Sequence, residues 1–315
     1  MRARTVVPSI VVVVSSPLLS ANWPRVVSRR PAATVCGNSV ALSWEPRTPR
    51  QGSLFVVRVS GASPGVRVTG KFADQPLHFT TTTSDSTSLE SLAAVPIDGD
   101  RSLGIVLRCS IDARADSLVA RLEAASANYP IDRLTVAPRF ATPPDSATAE
   151  RIRRESARAL QVATNAHATP RLWHEPFVLP RQSRITSGFG HGREYNGTLT
   201  SRHMGTDFAG ATGAPVRAAN RGVVRIVDAF YYGGNVVYLD HGHGLTSAYL
   251  HLSQQEVAEG DTVARGQVIG RVGASGRVTG PHLHLIVRYG NVTVDPMSLF
   301  AIVGDSTAAR QSAGL

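Results

Sequence analysis

Short segments in which apolar and polar residues alternate dominate the first half of the chain. Alternation with a period of two predicts half-buried β-strands, because successive side chains of a strand project to opposite faces. Gly, Pro, Ser and Asp separate these segments, as they do in connecting turns. The candidate strands are SVALSW (39–44), SLFVVRVSG (53–61), VRVTGKF (66–72), SLGIVLRCSI (102–111) and DRLTVA (132–137). Strands this short and closely spaced predict a small β-sandwich accessory domain over residues 35–140.

A helical period replaces the alternation at residues 142–166. The tetrapeptide TPPD (142–145) matches an N-cap at Thr142 followed by Pro at N1 and an acid at N3. The run AERIRRESARALQVA comes next and carries its apolar residues on one face, namely Ile152, Ala159, Leu160 and Ala163. We therefore predict a surface helix within a linker that spans residues 141–179.

From Pro180 onward the pattern is again that of β-strands, and glycines interrupt it every few residues. The candidate strands are GVVRIVDAF (222–230), NVVYLDHG (235–242), LTSAYLHL (245–252), QVIGRV (267–272) and HLHLIVRY (282–289). No long helical period lies between them, which predicts a compact antiparallel β domain over residues 180–302. Residues 303–315 are predicted to form a flexible tail.

The N-terminus has the parts of an export signal. Arg2 and Arg4 precede an apolar run from Val6 to Leu19, and Ala21 offers a small residue for cleavage. We expect residues 1–21 to be a signal peptide and the protein to be exported, whether periplasmic, cell-envelope associated or secreted; an uncleaved anchor is the alternative. Cys36 and Cys109, the two cysteines, favour one disulfide in an exported chain over two buried thiols.

The formal net charge of +10 raises the question of a nucleic-acid partner. Residues 185–300 nevertheless hold nine arginines against eight acids, whereas residues 1–34 hold five arginines and no acid. The excess charge therefore lies away from the histidine-rich part of the chain. We predict no nucleic-acid partner, and we expect the basic N-terminal part to contact an anionic envelope surface at most.

Seven of the ten histidines lie between His191 and His284, and three groups of them could carry chemistry. The groups are H-x-x-x-D in RHMGTDFAG (202–210), a histidine inside an apolar strand in SAYLHLS (247–253), and H-x-H in TGPHLHLIV (279–287). On a strand, both histidines of the last group project to one face, so they are either packed core residues or share a ligand. Two imidazoles and one carboxylate form a common Zn²⁺ site with an open fourth position. The H-E-x-x-H motif of helical zinc proteases is missing from the sequence.

In this order, H-x-x-x-D, Y-x-H-L and G-P-H-L-H resemble the lysostaphin or LytM-type zinc metallopeptidases, which are peptidoglycan endopeptidases. The segments ITSGFG (185–190), GTDFAGATGAPVRAANRGVV (205–224) and VDPMSLF (294–300) support the resemblance, which covers about residues 180–300. It implies a small antiparallel β metallopeptidase domain with a duplicated hybrid motif. The fold class that we predict is thus mainly β, with an N-terminal immunoglobulin-like β-sandwich, a helical linker and this C-terminal domain.

The resemblance also implies a role for five side chains. His203, Asp207 and His284 would ligate one Zn²⁺ per chain, while His251 and His282 would face its open position as catalytic residues. One of these two would accept the proton of the attacking water, and the other would stabilise the oxyanion or protonate the leaving amine. The expected reaction is hydrolysis of peptide bonds in bacterial cell-wall peptidoglycan, with selectivity set by loops 190–202 and 229–235.

The remaining histidines receive structural or solvated roles in this interpretation. They are His78, His167, His174, His241 and His243, with His191 close enough to the expected cleft to contact substrate. Two hypotheses compete with the enzyme: a non-catalytic member of the same fold that binds wall polymer or activates another hydrolase, and a metal- or polyanion-binding envelope protein. Latency is a further hypothesis, in which segment 166–180 covers the cleft and offers His174 or Glu175 to the metal; alternatively Trp173 and Phe177 dock this segment on the β domain.

Overall fold

The structure, a computed structural model, describes residues 40–62, 65–81, 88–111, 114–134, 144–195 and 198–304. The expected signal peptide, Cys36 and residues 305–315 of the expected tail lie outside these ranges. Cys109 is disulfide-bonded, in keeping with the disulfide expected from the sequence. Within the described ranges, neither helix combines the length and hydropathy that crossing a membrane requires.

The N-terminal region consists of two four-stranded antiparallel sheets. The first contains, in spatial order, β1 (Ala41–Glu45), β2 (Leu54–Ser60), β6 (Ser88–Ala94) and β5 (Thr80–Thr81). The second contains β4 (Gln75–Leu77), β3 (Arg67–Phe72), β7 (Ser102–Ile111) and β8 (Arg114–Glu123). Alternate residues of the two sheets enclose one core, in which Phe55 and Phe72 pack edge to face at 4.9 Å.

A ten-stranded antiparallel sheet forms the C-terminal region. Its main path contains, in spatial order, β10 (Ile185–Ser187), β13 (Thr206–Ala209), β20 (His282–Tyr289), β17 (Leu245–Gln255), β16 (Gly234–Gly242), β15 (Gly222–Phe230) and β18 (Thr262–Val263). Off this path, β14 (Pro215–Arg217) pairs with β19 (Val268–Val272), β19 also pairs with β17, and β21 (Val292–Val294) pairs with β20. The helix α2 (Pro296–Val303) follows β21, with Asp295 as its N-cap.

The central strands of this sheet are buried on both faces. The first eight residues of β17 are all buried, because one face of the sheet packs on the main core and the other on a helix. That helix, α1 (Ser146–Asn165), places Ala159 against Ile226, Tyr238 and Ala248. A strand buried on both faces reads as a continuous apolar run, as SAYLHL does here.

Helix α1 begins later than the sequence pattern predicts. Its N-cap is Asp145, whose carboxylate accepts a hydrogen bond from the Thr148 amide at 2.7 Å, so the predicted cap at Thr142 is wrong. The predicted apolar face needs one correction as well, because Leu160 is 41% exposed. Ala159 and Ala163 are buried, and Leu160 is turned about 100° away from Ala159 on the helix surface.

The segment that follows α1 docks on the β domain away from His203, Asp207 and His284, the expected metal ligands. Trp173 and Phe177 are buried and pack edge to face at 5.1 Å, whereas His174 and Glu175 are exposed. Glu175 forms an ion pair with Arg265 rather than reaching the metal ligands. Docking of this segment is therefore what the structure shows, and the latency hypothesis built on His174 and Glu175 is wrong.

The strand predicted at 132–137 leaves the sandwich and joins the C-terminal region. Its described part, β9 (Ile131–Leu134), pairs in parallel with β11 (Gly192–Tyr195), which in turn pairs with β12 (Thr198–Arg202). The alternation of apolar and polar residues identifies this segment as a strand, but it carries no information on which sheet the strand enters.

The two β regions also share a core. Leu54 and Ala94 of the first sheet belong to the same cluster of buried side chains as Phe300 of α2. Polar contacts reinforce this junction: the Leu54 amide donates to Ser298 Oγ at 2.9 Å, and the Tyr289 hydroxyl donates to the Pro76 carbonyl at 2.7 Å. Burial of this interface favours a fixed orientation of the sandwich on the C-terminal sheet.

Candidate metal centre

Two neighbouring strands and the segment between β12 and β13 supply the three expected metal ligands. Asp207 of β13 and His284 of β20 are direct cross-strand partners, which places their side chains next to each other on one face of the sheet. His203 follows β12 and lies four residues before Asp207. All three residues are at least 92% buried, so the sequence-predicted ligands converge in a site that is nearly closed to solvent.

The three ligand atoms form a small triangle. His203 Nε2 lies 3.0 Å from Asp207 Oδ1, His284 Nδ1 lies 2.7 Å from the same oxygen, and the two nitrogens are 2.9 Å apart. Bonds of about 2.0–2.1 Å to a tetrahedral Zn²⁺ place ligand atoms roughly 3.3 Å apart, so only a slight widening is needed. In the described part of the chain, this is the one group of three such side chains with all ligand atoms within 4.8 Å.

Backbone carbonyls and the neighbouring carboxylate set the ionisation and orientation of the ligands. His203 Nδ1 donates to the Gly188 carbonyl at 2.7 Å, which leaves Nε2 as the lone-pair nitrogen aimed at the triangle. Burial raises the pKa of the Asp207 carboxyl, but the close imidazoles of His203 and His284 outweigh burial and hold that pKa well below its usual range. The site therefore presents an ionised carboxylate and imidazole nitrogens, the donor set that suits a borderline divalent cation.

His251 and His282 lie beside this triangle, and their rings are 5.0 Å apart between centroids. His251 Nδ1 donates to the Ser275 carbonyl at 2.8 Å, and His282 Nδ1 donates to the Gly280 carbonyl at 2.8 Å. Each Nε2 is therefore the nitrogen free to accept a proton. His282 Nε2 lies 3.7 Å from Asp207 Oδ1, which shows that it points towards the ligands.

A β-bulge brings His251 to the correct face of the sheet. Along β16, Asn235 and Val237 are two apart, but their partners on β17, Leu252 and Tyr249, are three apart. The extra residue of β17 lies at this point, and His251 there adopts a left-handed conformation with φ of 64°. In a regular strand His251 would face the main core; the bulge turns it towards His284, 5.7 Å away between ring centroids.

The metal ligands lie at the junction of two halves of a cleft. The larger half has a volume of about 730 Å³ and is lined by Asp207, His251 and His282. The smaller has a volume of about 190 Å³ and is lined by His203, His251 and His284. An extended substrate that occupied both halves of the cleft would pass over the metal ligands. This geometry is expected for cleavage inside a polymer rather than at its end.

Comparison with known proteins agrees with this geometry. The model of Peptidase family M23 matches residues 201–296, a range that holds all five of these side chains. Residues 201–296 form an M23 peptidase domain. The M23 family is metal-dependent, and the triangle of His203, Asp207 and His284 lies inside the matched range.

Relatives of the M23 domain include a peptidoglycan DD-endopeptidase and lysostaphin. The peptidoglycan DD-endopeptidase ShyB of Vibrio cholerae is 40% identical over 131 residues, which are 41% of this chain and 30% of that protein. Lysostaphin of Staphylococcus simulans is 34% identical over 154 residues, 46% of this chain and 29% of the relative. This chain thus spans under a third of the length of these curated relatives.

A solved structure extends the similarity beyond the M23 domain. A Pseudomonas aeruginosa protein, provisionally described as a peptidase M23, matches with a TM-score of 0.61 and 25% identity. The match covers 80% of this chain and 95% of that one, more than the M23 domain alone occupies. The similarity therefore extends into the regions that precede the M23 domain.

The other histidines of the M23 domain and its neighbours have different surroundings. His241 is fully buried, with Nδ1 donating to the Arg221 carbonyl and Nε2 2.8 Å from Ser247 Oγ, so it is structural as predicted. His191 lines the larger half of the cleft, while His174 is exposed on the docked linker. His78, His167 and His243 form a separate cluster of rings between the sandwich and the M23 domain.

Sequence reasoning missed several residues that shape the site. They are Ser275 and Gly280, whose carbonyls orient His251 and His282, and the cleft residues Tyr232, Arg133, Arg184 and Arg277. A backbone carbonyl leaves no sequence signal, because any residue provides one. Arg277 had a weak signal, since it stands five residues before His282 in the same glycine-rich loop.

Proposed function

We propose that this protein is a zinc-dependent endopeptidase that hydrolyses peptide bonds in bacterial cell-wall peptidoglycan. The observation that carries the proposal is the convergence of His203 Nε2, Asp207 Oδ1 and His284 Nδ1 within 3.0 Å, beside two further histidines. Relatives named as peptidoglycan DD-endopeptidases and as lysostaphin support the substrate class.

The ligand set suits zinc, with one ion per chain. Two imidazoles and one carboxylate leave a fourth position of a tetrahedron open, and no thiolate is near to favour a closed structural site. When bound, Zn²⁺ lowers the pKa of a coordinated water and polarises the scissile carbonyl. We propose that His203, Asp207 and His284 hold it.

The chain's own residues then move the proton and stabilise charge. Burial, followed by the proximity of His284 and His282, lowers the pKa of His251 to about 3, so this imidazole is neutral at neutral pH. A neutral ring whose Nδ1–H is held by the Ser275 carbonyl offers Nε2 as a base. His282 presents Nε2 in the same way from the other strand. We propose that one of the two accepts the proton of the attacking water and that the other hydrogen-bonds the developing oxyanion or protonates the leaving amine.

The remaining expectations extend this proposal to the whole chain. Two facing four-stranded sheets with one core support an immunoglobulin-like description of the sandwich. We also propose the duplicated hybrid motif for the M23 domain. A wall substrate requires export, so we propose a periplasmic, envelope-associated or secreted protein whose basic N-terminal part contacts an anionic envelope surface.

Purified full-length chain tests the proposed function. We expect about one zinc per chain by elemental analysis. We also expect clearing of peptidoglycan embedded in a gel. His251→Ala should retain zinc and lose clearing, and His174→Ala, which alters an exposed histidine of the docked linker, should retain both. Zinc without clearing on several wall types would favour the non-catalytic hypothesis, and absence of zinc would refute the enzyme.

A further inference from the structure

Arginines surround the cleft, and acids are nearly absent from it. Arg133, Arg184 and Arg277 line the larger half, and Arg202 and Arg277 line the smaller. Among the described residues that line the two halves, Asp207 is the one carboxylate, and it belongs to the metal ligands. The lining of the cleft therefore holds more cationic than anionic side chains, with Arg202 paired to Asp98 outside the lining.

This local charge contrasts with the composition of the surrounding domain. Residues 185–300 hold nine arginines and eight acids, so the region as a whole is close to neutral. Three of its acids are engaged away from the cleft: Asp228 and Glu259 pair with Arg158 of α1, and Glu256 pairs with Arg271. Separation of charge within a neutral domain concentrates the cations where a substrate would lie.

Arg277 holds the central position among these cations. Arg277 and His251 are the two residues that line both halves of the cleft, so Arg277 lies where a chain crosses the metal ligands. Its guanidinium stacks over the ring of Tyr232, with 4.1 Å between Cζ and the ring centroid. Its backbone amide donates to the Tyr232 carbonyl at 2.9 Å, so the backbone and the guanidinium of Arg277 both contact Tyr232.

The loop that carries Arg277 packs closely against the backbone of Tyr232 and Gly234. Gly276 has φ of 76°, and a Cβ at this position would lie 2.4 Å from the Gly234 nitrogen. Only glycine fits so close to the facing backbone. Ser275 of the same loop accepts the hydrogen bond that orients His251, so one loop positions both this imidazole and the guanidinium.

Two other segments extend the cationic surface along the larger half. Arg184 is exposed and comes directly before β10. Arg133 comes from β9, the strand that leaves the sandwich and pairs with β11, and it lies 3.5 Å from Glu194. Arg133 is thus close to an acid, whereas no acid pairs with Arg184 among the described residues. We therefore expect Arg184 to contribute more than Arg133 to the binding of a carboxylate.

We propose that the cleft selects peptides with free carboxylates, and that Arg277 binds a carboxylate on a residue adjoining the scissile amide. This deepens the proposed function and rests on it for the identity of the bond that is cut. A planar guanidinium binds a carboxylate through two parallel N–H···O bonds, and its stack on Tyr232 holds that plane in place. Arg184 binds a further carboxylate along the larger half of the cleft.

Two synthetic peptides test this selection. They are identical except that the residue adjoining the scissile amide carries a free carboxylate in one and a carboxamide in the other. Their dissociation constants are measured on zinc-loaded full-length His251→Ala, so that binding is read without turnover. We expect the carboxylate peptide to bind about 10- to 100-fold more tightly, as a charge-assisted bidentate contact implies.

Substitutions identify the residue that is responsible. In the same background, Arg277→Gln should bring the ratio of the two dissociation constants close to one. Arg277→Lys should leave an intermediate ratio, because the positive charge remains but the two parallel hydrogen bonds of the guanidinium are lost. Arg184→Gln should lower the ratio less. Arg221→Gln, an exposed arginine of the same domain outside the cleft lining, should leave it unchanged.

The outcomes separate this inference from the proposed function. Equal affinity for the two peptides, or a preference that persists in Arg277→Gln, would overturn the inference even if the wild-type chain cleaves both peptides. A preference that depends on Arg277 in a chain that cleaves neither peptide would support the inference and refute the peptidase.

Discussion

Two clusters of three histidine or carboxylate side chains differ sharply within the described part of the chain, because one of them is arranged to hold a metal ion and the other is not. His203, Asp207 and His284 bring two nitrogens and one oxygen to a common point. His78, His167 and His243 instead stack their rings, with centroids 4.7 and 5.1 Å apart and nearly parallel planes. His78 Nε2 and His167 Nδ1 share one hydrogen bond of 2.8 Å.

The carboxylate accounts for the difference between the clusters. Asp207 Oδ1 lies within 3.0 Å of a nitrogen of each of two imidazoles and supplies the negative charge that a cation needs. The stacked cluster meets the neutral oxygen of Gln75, 3.2 Å from His167 Nε2, and the cation Arg171. Burial, then the neighbouring imidazoles, lowers the pKa of His78 to about 4. The same residue type thus forms a metal site in one place and a neutral packing surface in the other.

Removal of one histidine from each cluster should give the largest difference between the two clusters, measured as zinc content. His284→Ala should lower the zinc content from about one per chain to near zero, because loss of a direct ligand costs more than the ~100-fold that follows loss of a supporting contact. His243→Ala should retain the metal. Elemental analysis after dialysis measures both, and equal zinc loss in the two variants would contradict the assignment.

Within the metal centre, His251 separates binding of the ion from turnover. His251→Ala should lower the rate of peptidoglycan hydrolysis by about 10²- to 10⁴-fold, the usual contribution of a general acid or base, with zinc content unchanged. His282→Ala should behave in the same way. Dye release from labelled peptidoglycan measures the rate, and a variant that loses zinc together with activity would show that the residue is a ligand instead.

The period of two predicted the shared face of His282 and His284, whereas the choice of His203, Asp207 and His284 as ligands came from the resemblance to a family. Asp207 and His284 face each other across β13 and β20, and the period of two places His282 on the same face as His284. His251 is different: its strand pattern would direct it to the opposite face, and only the bulge and its left-handed φ bring it to the site. The resemblance to a family therefore predicted the place of His251 in the site, which the strand periodicity could not predict.

The stacked histidines could not be predicted, because they come from three parts of the chain that meet only on docking. His78 belongs to the sandwich, His167 follows α1, and His243 lies in the turn after β16. The same limit applies to β9, whose alternation indicates a strand but not its partner β11. Contacts between regions depend on packing that no local pattern encodes.

Acid should weaken the stacked cluster and so destabilise the fold. Since the folded-state pKa of His78 is about 4 and the unfolded value is near ~6.5, the unfolded chain binds more protons between these two values. Stability is therefore fully present above pH ~6.5 and falls as the pH is lowered through this window. Arg171 and Tyr289 face the cluster, whereas Glu90, which lines the same cavity, is paired with Arg58 and contacts none of the three rings in the described contacts.

A matched variant isolates this effect from acid release of the metal. His78→Gln keeps a polar side chain towards His167 but cannot titrate, so it should lose less stability than wild type between pH 7.5 and pH 5. After allowance for partial exposure, the difference should be roughly 1–2 kcal/mol. Urea midpoints at the two pH values measure it, with the exposed His174→Gln as control; identical losses in wild type and His78→Gln would exclude the cluster as the cause.

The smallest expected effect comes from giving the stacked cluster the carboxylate that it lacks. Gln75 is 7% exposed, and its Oε1 accepts from the Asn291 amide at 3.2 Å while facing His167 Nε2. Gln75→Glu keeps that acceptor and adds a negative charge, which should raise the pKa of His167 from its lowered value. His167 would then keep its proton on folding, and the stability lost between pH 7.5 and pH 5 should shrink by under about 1 kcal/mol relative to wild type. Urea midpoints again provide the measurement. An unchanged loss would mean that burial rather than the missing carboxylate keeps these rings neutral, because burial disfavours the imidazolium whether or not a counter-charge is present.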